Sequence, residues 1–378
     1  VLMYDVYSVT PHNFAFIETP DFVNFKNLGR FNEGVMKTTN FTAPKHGAVI
    51  HLTMEEAERL ESYWQKNKRK YVSTASIRKN PILPGFYADP EVMYSEKTGR
   101  YYIYPTTDGI PNWGSTAFKA FSSDDLVNWK EEGVILDLKD VSWAKKNAWA
   151  PCIIEKKQAD GNYKYYYYYT AEQQIGVAVA DSPTGPFIDS GTPLIDKVRP
   201  GGMSKGQNID PDVFTDPASG KTYLYWGNYY MAVCELNEDM VSIKPNTTKI
   251  LIDNDAYYSE ATHVFYRNGY YYFTWSKNDT RSPEYQVRYV RAKSPVGPID
   301  ASKSEVILCK KPEQGIFGTG HHSVLPLPGK DEWYIVYHRF KFPDAVTMGR
   351  NAGFHREVCI DKLDFDENDS IIKIVPTL

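Results

Sequence analysis

The chain has 378 residues, enough for a large hydrophobic core in one big domain or two. Its 43 basic and 47 acidic residues leave a formal charge of -4, which provides no footprint for a polyanion and argues against nucleic acid as a partner. No apolar run approaches the roughly 20 residues that span a bilayer, and no Gly-rich phosphate loop, serine elbow or HExxH motif is present.

Aromatic residues make up 15 % of the chain, with 29 tyrosines against 18 phenylalanines. That bias suits half-buried strands and predicts a β-rich fold. Cys152, Cys234, Cys309 and Cys359 are widely spaced and form no CxxC pair, so they are expected as four buried thiols rather than a zinc or redox site.

In chain order, the first segment already resembles a later one. His12 to Gly29 parallels Thr116 to Gly133 over eighteen residues without a gap, and Lys-His-Gly-Ala-Val from 45 echoes Gly-His-His-Ser-Val from 320. A helix is predicted from Met54 to Lys70: Thr53 caps it, Glu56 completes a capping box, and Ala57, Leu60 and Trp64 share one face.

Five repeats follow, each a short apolar strand, a glycine turn and an aromatic strand. They open at Ala-Asp-Pro-Glu-Val from 88, Trp-Ala-Pro-Cys-Ile from 149, Ile-Asp-Pro-Asp-Val from 209, Glu-Ala-Thr-His-Val from 260 and Gly-His-His-Ser-Val from 320. Aligned on Asp89, Ala150, Asp210, Ala261 and His321, they are spaced by 61, 60, 51 and 60 residues. A repeat of this length built from short strands and hairpin turns is a propeller blade. The predicted fold is therefore all-β: a five-bladed β-propeller over 80–378, preceded by a 1–79 segment that reads as the tail of a second, incomplete propeller ending in the helix.

In a propeller the first strand of each blade runs along the central axis, so residues at one repeat position converge at one mouth of the channel. Three repeat starts carry a carboxylate there: Asp89, Asp210 and Glu260, the last one residue ahead of the aligned position. A single Asp-Pro is a common turn starter, but acids at three equivalent positions point to a site. Asp212 is a rival for the role of Asp210. Asp108 and Asp125 are expected to be solvated, and His263 and His322 to be structural. Trp113 and Phe118, in or near the loop after Tyr104, are candidate stacking walls.

The run Asn80-Pro-Ile-Leu-Pro-Gly-Phe-Tyr-Ala-Asp-Pro90 resembles the opening motif of glycoside hydrolase family 43. Trp149-Ala-Pro151, Ile209-Asp-Pro211, Ser259-Glu-Ala-Thr-His263 and Gly320-His-His-Ser323 follow in that family's order. The resemblance implies a five-bladed propeller and inverting hydrolysis of arabinose- or xylose-containing polysaccharides or oligosaccharides. It implies Asp89 as general base, Glu260 as general acid, and Asp210 as the residue that orients the acid and tunes its pKa. Arg356 resembles an arginine reaching the sugar, with Arg339 and Arg350 as rivals. His321 resembles a histidine near a channel metal, so a structural calcium or sodium ion is an expected but chemically dispensable cofactor. The expected partner is a glycan and the expected location secreted or periplasmic, although no signal peptide opens the chain. The rival reading is a non-catalytic, lectin-like propeller, which has no need for an acid–base pair.

Overall fold

The structure is a computed structural model that describes residues 2–6, 13–30, 53, 55, 56, 58, 59 and 80–378. It divides into two compact units, Val1–Ser73 and Thr74–Leu378.

In the first unit β1 (Leu2–Val6), β2 (Asn13–Glu18) and β3 (Lys26–Arg30) form an antiparallel sheet in that order. The turn after β2 is set by Thr19 and Asp21: the Phe22 N–H donates to Thr19 Oγ1 at 2.8 Å, and the Val23 and Asn24 N–H groups donate to Asp21 Oδ1 at 2.9 and 2.8 Å. Ser123 and Asp125 make the same set of bonds to Leu126, Val127 and Asn128. Phe22 and Leu126 share a left-handed φ of 59° and 62°. They differ in surroundings, since Leu126 is buried and Phe22 is exposed. Of the predicted helix, Glu55, Glu56, Glu58 and Arg59 are helical. The Thr53 N–H donates to Glu56 Oε2 at 2.8 Å and the Glu56 N–H to Thr53 Oγ1 at 3.2 Å, a reciprocal cap. Ala57, Leu60, Trp64 and the Lys-His-Gly-Ala-Val run from 45 lie outside the described residues.

The second unit is all-β. Blade I holds β4 (Tyr87–Ser95), β5 (Arg100–Thr107), β6 (Ala117–Ser123) and β7 (Lys130–Asp137). Blade II holds β8 (Trp149–Lys157), β9 (Tyr163–Ala171), β10 (Gln174–Ala180) and β11 (Ile188–Asp189). Blade III holds β12 (Asp212–Thr215), β13 (Thr222–Trp226), β14 (Tyr230–Glu235) and β15 (Lys249–Asp253). Blade IV holds β16 (Glu260–Arg267), β17 (Tyr270–Lys277), β18 (Gln286–Ala292) and β19 (Glu305–Leu308). Blade V holds β20 (Gly320–Pro326), β21 (Trp333–Phe340) and β22 (Arg356–Leu363). Every ladder is antiparallel, and the first strands β4, β8, β12, β16 and β20 touch in a closed cycle around the axis. The predicted five-bladed propeller is the observed fold.

The tyrosine excess is explained by the blade interfaces. In β9, Tyr165, Tyr167 and Tyr169 point into the core shared with blade I, while Tyr166 and Tyr168 point into the core shared with blade III. A strand alternates sides every residue, so a middle strand covered on both faces reads as an unbroken apolar run. Three cysteines are buried; Cys309 is only partly so, because it follows β19 at the blade rim, and all four are free.

The ring closes where both ends of this unit meet blade V. The Ile82 N–H donates to Val358 O at 2.9 Å, and the Asn80 side chain accepts from Ile360 N at 2.9 Å while donating to Ile360 O at 3.2 Å. Asn80 thus serves β22 as a neighbouring strand would.

A second closure lies at the axis. Glu91, Cys152, Asp212, His263 and Ser323 stand two residues after the aligned repeat positions. Each accepts the backbone N–H of the next blade: Ile153 to Glu91, Val213 to Cys152, Val264 to Asp212, Val324 to His263 and Val92 to Ser323. The cycle is complete, one bond per interface. Ser323 Oγ also donates to Pro90 O at 2.9 Å. Ser323→Ala leaves two buried backbone groups without a partner and is expected to destabilise the protein by about 1–3 kcal/mol. Urea unfolding measures this; a loss below about 0.5 kcal/mol, the size of a neutral surface change, would show that the cycle contributes little.

Candidate active site

The aligned repeat positions share a backbone feature. Asp89, Ala150, Asp210, Ala261 and His321 all have positive φ, between 40° and 59°. In β4, β8, β16 and β20 the pairing register shifts at this point. Such a bulge re-aims the side chains beside it. Each of these positions is anchored by the blade before it: the Ala150, Asp210 and His321 N–H groups donate to Thr106 Oγ1, Thr170 Oγ1 and Ser276 Oγ at 2.7, 3.0 and 2.8 Å. Blade V presents His338 instead, whose Nδ1 accepts the Asp89 N–H at 3.2 Å. Blade III has no hydroxyl at this level, and the Ala261 N–H goes to the Asp210 carboxylate. Glu260 precedes the bulge residue of its blade, which accounts for its one-residue offset in the repeat.

Asp89 is buried among cationic and imidazole groups. Arg356 Nη1, His321 Nδ1 and His338 Nδ1 lie 3.0, 3.2 and 3.2 Å from its Oδ1. Among the described residues no side chain or amide hydrogen-bonds to Oδ2. Burial alone would raise the Asp89 pKa, but the Arg356 charge, then His321 and His338, hold it far below the usual carboxylate range. Asp89 therefore stays ionised.

Arg356 is itself fixed. Its Nε donates to Asp108 Oδ2 at 2.9 Å, its Nη2 to Asp108 Oδ1 at 3.3 Å, and its Nη1 also reaches Thr280 Oγ1 at 3.2 Å. Asp108 was expected in solvent and is instead buried, because the forked guanidinium supplies the partners that a carboxylate needs to leave water. Arg339 is occupied elsewhere, with Glu357, and Arg350 sits at the mouth on Asp279.

Glu260 has the opposite environment. Tyr285 Oη donates to its Oε1 at 2.8 Å and Asn228 Nδ2 to its Oε2 at 2.8 Å. Burial is the largest influence and, with the negative charge of Asp89, pushes its pKa up to about 7 despite those two bonds. Asp210 is also raised, first by burial and then by the charges of Glu260 and Asp89. Burial rather than a neighbouring carboxylate is thus the chief cause of the high Glu260 pKa. The partners Asn228 and His338, from neighbouring blades, and Tyr285, from the same blade as Glu260, carry no mark in the sequence except at His338, which replaces the hydroxyl residue of the repeat.

The three carboxylates line one cavity of about 430 Å³ together with Trp113, Trp149, Arg356 and His321. Trp113 forms a wall, with the Phe354 ring tilted against it at 4.5 Å between centroids, Arg281 over its ring at 5.3 Å, and its Nε1 donating to Gly353 O at 3.1 Å. Phe118, the other expected wall, does not line the cavity. It is fully buried between blades I and II against Tyr167 and Tyr169, since β6 turns it inward. Asp212 faces away from the cavity, held by His263 Nδ1 at 2.8 Å, and His322 Nε2 pairs with Thr274 Oγ1 at 2.8 Å. Asp125 serves its turn.

Two places bear on a metal ion. Glu91, Asp212 and His263 bring one donor atom each within 4.8 Å of one another in the channel. Both His263 nitrogens are engaged there, by Asp212 and by the Val324 N–H, and both Asp212 oxygens are engaged as well, by His263 and by the Val264 N–H. His321 is kept neutral by burial, its pKa pushed down to about 4, and a neutral imidazole is the form that ligates metals.

Residues 78–371 match the family described as Glycosyl hydrolases family 43. The chain is 33 % identical over 328 residues to a β-D-galactofuranosidase of Aspergillus niger, covering 84 % of this chain and 91 % of that one. A xylosidase/arabinosidase of Bacteroides ovatus is 29 % identical, with 78 % and 97 % covered. Among solved structures, an α-L-arabinofuranosidase from Clostridium thermocellum superposes with a TM-score of 0.60 at 30 % identity, covering 77 % of this chain and 94 % of that one. Among the described residues no helix is long and apolar enough to cross a membrane.

Removing the Arg356 charge should release Asp89 from its depressed pKa. In Arg356→Met the Asp89 carboxyl is expected to titrate higher than in the parent, followed by carbon NMR of labelled aspartate. An unchanged titration would mean that the two histidines suffice.

Proposed function

The chain belongs to family 43 of the glycosyl hydrolases and is an inverting glycoside hydrolase, and on that premise we propose a division of labour among its three axial carboxylates. Asp89, permanently ionised, is the general base. Its free Oδ2 takes a proton from a water, whose oxygen bonds to the anomeric carbon as the glycosidic C–O bond breaks. Glu260, protonated below about pH 7, gives its proton to the departing oxygen. Asp210 is a positioning residue: by holding the Ala261 N–H it fixes the left-handed backbone next to Glu260 and so aims the acid. Arg356 keeps Asp89 charged and faces the sugar in the innermost subsite. The observation that carries this reading is the opposite tuning of two carboxylates in one cavity.

The substrate class we propose is an arabinose- or xylose-containing plant glycan, with a terminal furanosyl residue first in preference. The Aspergillus relative is a β-D-galactofuranosidase and the Clostridium one an α-L-arabinofuranosidase, both named for furanosides, and those two sugars carry the same ring arrangement around the anomeric centre. Trp113 and Arg281 line the cavity, with Phe354 packed against Trp113, and such a wall supports release of terminal residues. His321 is the side chain that would hold a channel cation, with water completing the shell, and such an ion is structural.

Glu260→Gln and Asp89→Asn are each expected to lose at least about 10³-fold in kcat while folding is retained. In the parent, kcat/KM should be level on the acid side to about pH 5 and fall tenfold per unit above about pH 7, as Glu260 loses its proton. Nitrophenyl α-L-arabinofuranoside, β-D-xyloside and β-D-galactofuranoside serve as the panel. Near-parental turnover in either variant would sink the assignment, and preference for the xyloside would move the substrate reading to pyranosides.

We also propose that residues 1–79 derive from the outer strands of a further propeller blade. The shared turn supports this, as does Phe22, exposed where its counterpart Leu126 packs between blades I and V. Removal of residues 1–73 is then expected to leave the melting temperature of the catalytic propeller within about 4 °C, the shift for roughly 1–2 kcal/mol in a domain this large. A larger fall would show that the segment is part of the catalytic fold.

A further inference from the structure

The cavity contains two side chains whose positions neither the fold nor the proton transfers explain. Tyr229 is a bulky residue with a φ of 64°, a conformation that costs about 1 kcal/mol or more outside glycine and asparagine. It is held there on both sides: its N–H donates to Ser259 O at 2.7 Å, and its C=O accepts from Asn254 N at 2.8 Å. The preceding Gly227 also permits no side chain, since a Cβ there would stand 2.2 Å from Tyr230 O. Yet the side chain is 51 % exposed and lines the cavity, and among the described residues it makes no aromatic pair and no hydroxyl hydrogen bond, its one charged neighbour being Arg281. A strained, unpacked aromatic at a cavity mouth is where a ligand is expected to meet the protein.

Lys277 lines the same cavity at the end of β17 and is partly buried. Among the described residues its ammonium has no hydrogen-bond or ion-pair partner. Burial pushes its pKa down, Arg288 adds to that, and Asp255 opposes it. A partly desolvated donor without an acceptor gains when a ligand supplies one.

Both residues flank the same short segment. Asn228, next to Tyr229, holds Glu260 Oε2, and Tyr229 itself is bonded to Ser259. Ser276, next to Lys277, pairs with Glu260, and Asn278 on its other side donates to Ser259 Oγ at 3.0 Å. The general acid protonates the oxygen that departs, so groups beside it meet the leaving group and not the sugar over Asp89. We propose that Tyr229 and Lys277 form the leaving-group subsite, with a sugar ring stacked on Tyr229 and one of its hydroxyl oxygens accepting from Lys277. The enzyme is thereby selective for bonds to another sugar over bonds to a small alcohol. The naming of this side rests on Glu260 being the acid.

Binding can be read without turnover. In the Glu260→Gln background, calorimetry compares arabinose, which fills only the innermost subsite, with a xylotriose carrying one arabinosyl branch. Adding Tyr229→Gly is expected to weaken the branched oligosaccharide about tenfold, the scale of one lost ring stack, while arabinose changes less than about twofold. Because glycine adopts this φ without penalty, the melting temperature should hold or rise. Lys277→Met is expected to weaken the oligosaccharide about three- to tenfold, as one lost hydrogen bond would. Unchanged oligosaccharide affinity, or equal losses for both ligands, overturns the proposal. So does a melting temperature that falls with Tyr229→Gly, which would make the residue structural. Persistent turnover in Glu260→Gln instead refutes the acid assignment, and the contrast between the two ligands still reports on the subsite.

Discussion

Five strand-opening amides at the axis of this molecule have no ladder partner within their own blades. Each is satisfied by the neighbouring blade, through Thr106, Thr170, Asp210, Ser276 or His338. A second ring two residues deeper repeats the device with Glu91, Cys152, Asp212, His263 and Ser323. Buried amides without partners are too costly to tolerate, so the blades are locked in angle and in height. The active site depends on that lock. A carboxylate at a bulge is aimed only as well as the bulge is held, and every bulge here is held by another blade.

The same arrangement joins structure to chemistry at two of its five places. Where the other blades use a hydroxyl, blade V uses His338, which lies beside the Asp89 carboxylate as well as under its amide. Where blade III lacks a hydroxyl, Asp210 bonds the amide next to Glu260. The two departures from the repeat thus fall next to the proposed base and the proposed acid. They coincide with the split in pKa, downward at Asp89 through Arg356 and upward at Glu260 through burial.

Much of this was legible in the repeat. Asp89, Asp210 and Glu260 stand out because a propeller brings equivalent positions to one axis, and the tyrosine runs mark strands covered on both faces. Phe118 and Asp108 were misread for one reason. Local sequence does not say which side of a blade a residue faces, nor whether a distant arginine waits for it. Phe118 turned into the interface, and Asp108 found Arg356, 248 positions away. Asn228 and Tyr285 escaped notice because each lies outside the repeat starts, in a loop or at a strand edge.

What the sequence by itself determined is periodic: the number of blades, the alternation that sends tyrosines to both interfaces, the strand ends where the acids sit, and the capped helix start at Thr53 and Glu56. These follow from local spacing and side-chain chemistry, which a chain carries with it. What only the tertiary structure decided is pairwise and distant. It set Arg356 against Asp89, left Glu260 among neutral donors, and held Tyr229 in a strained turn beside it. Charge, burial and backbone strain at those places are sums over neighbours from other strands and other blades, 25 or more positions away, and no short window of sequence contains them.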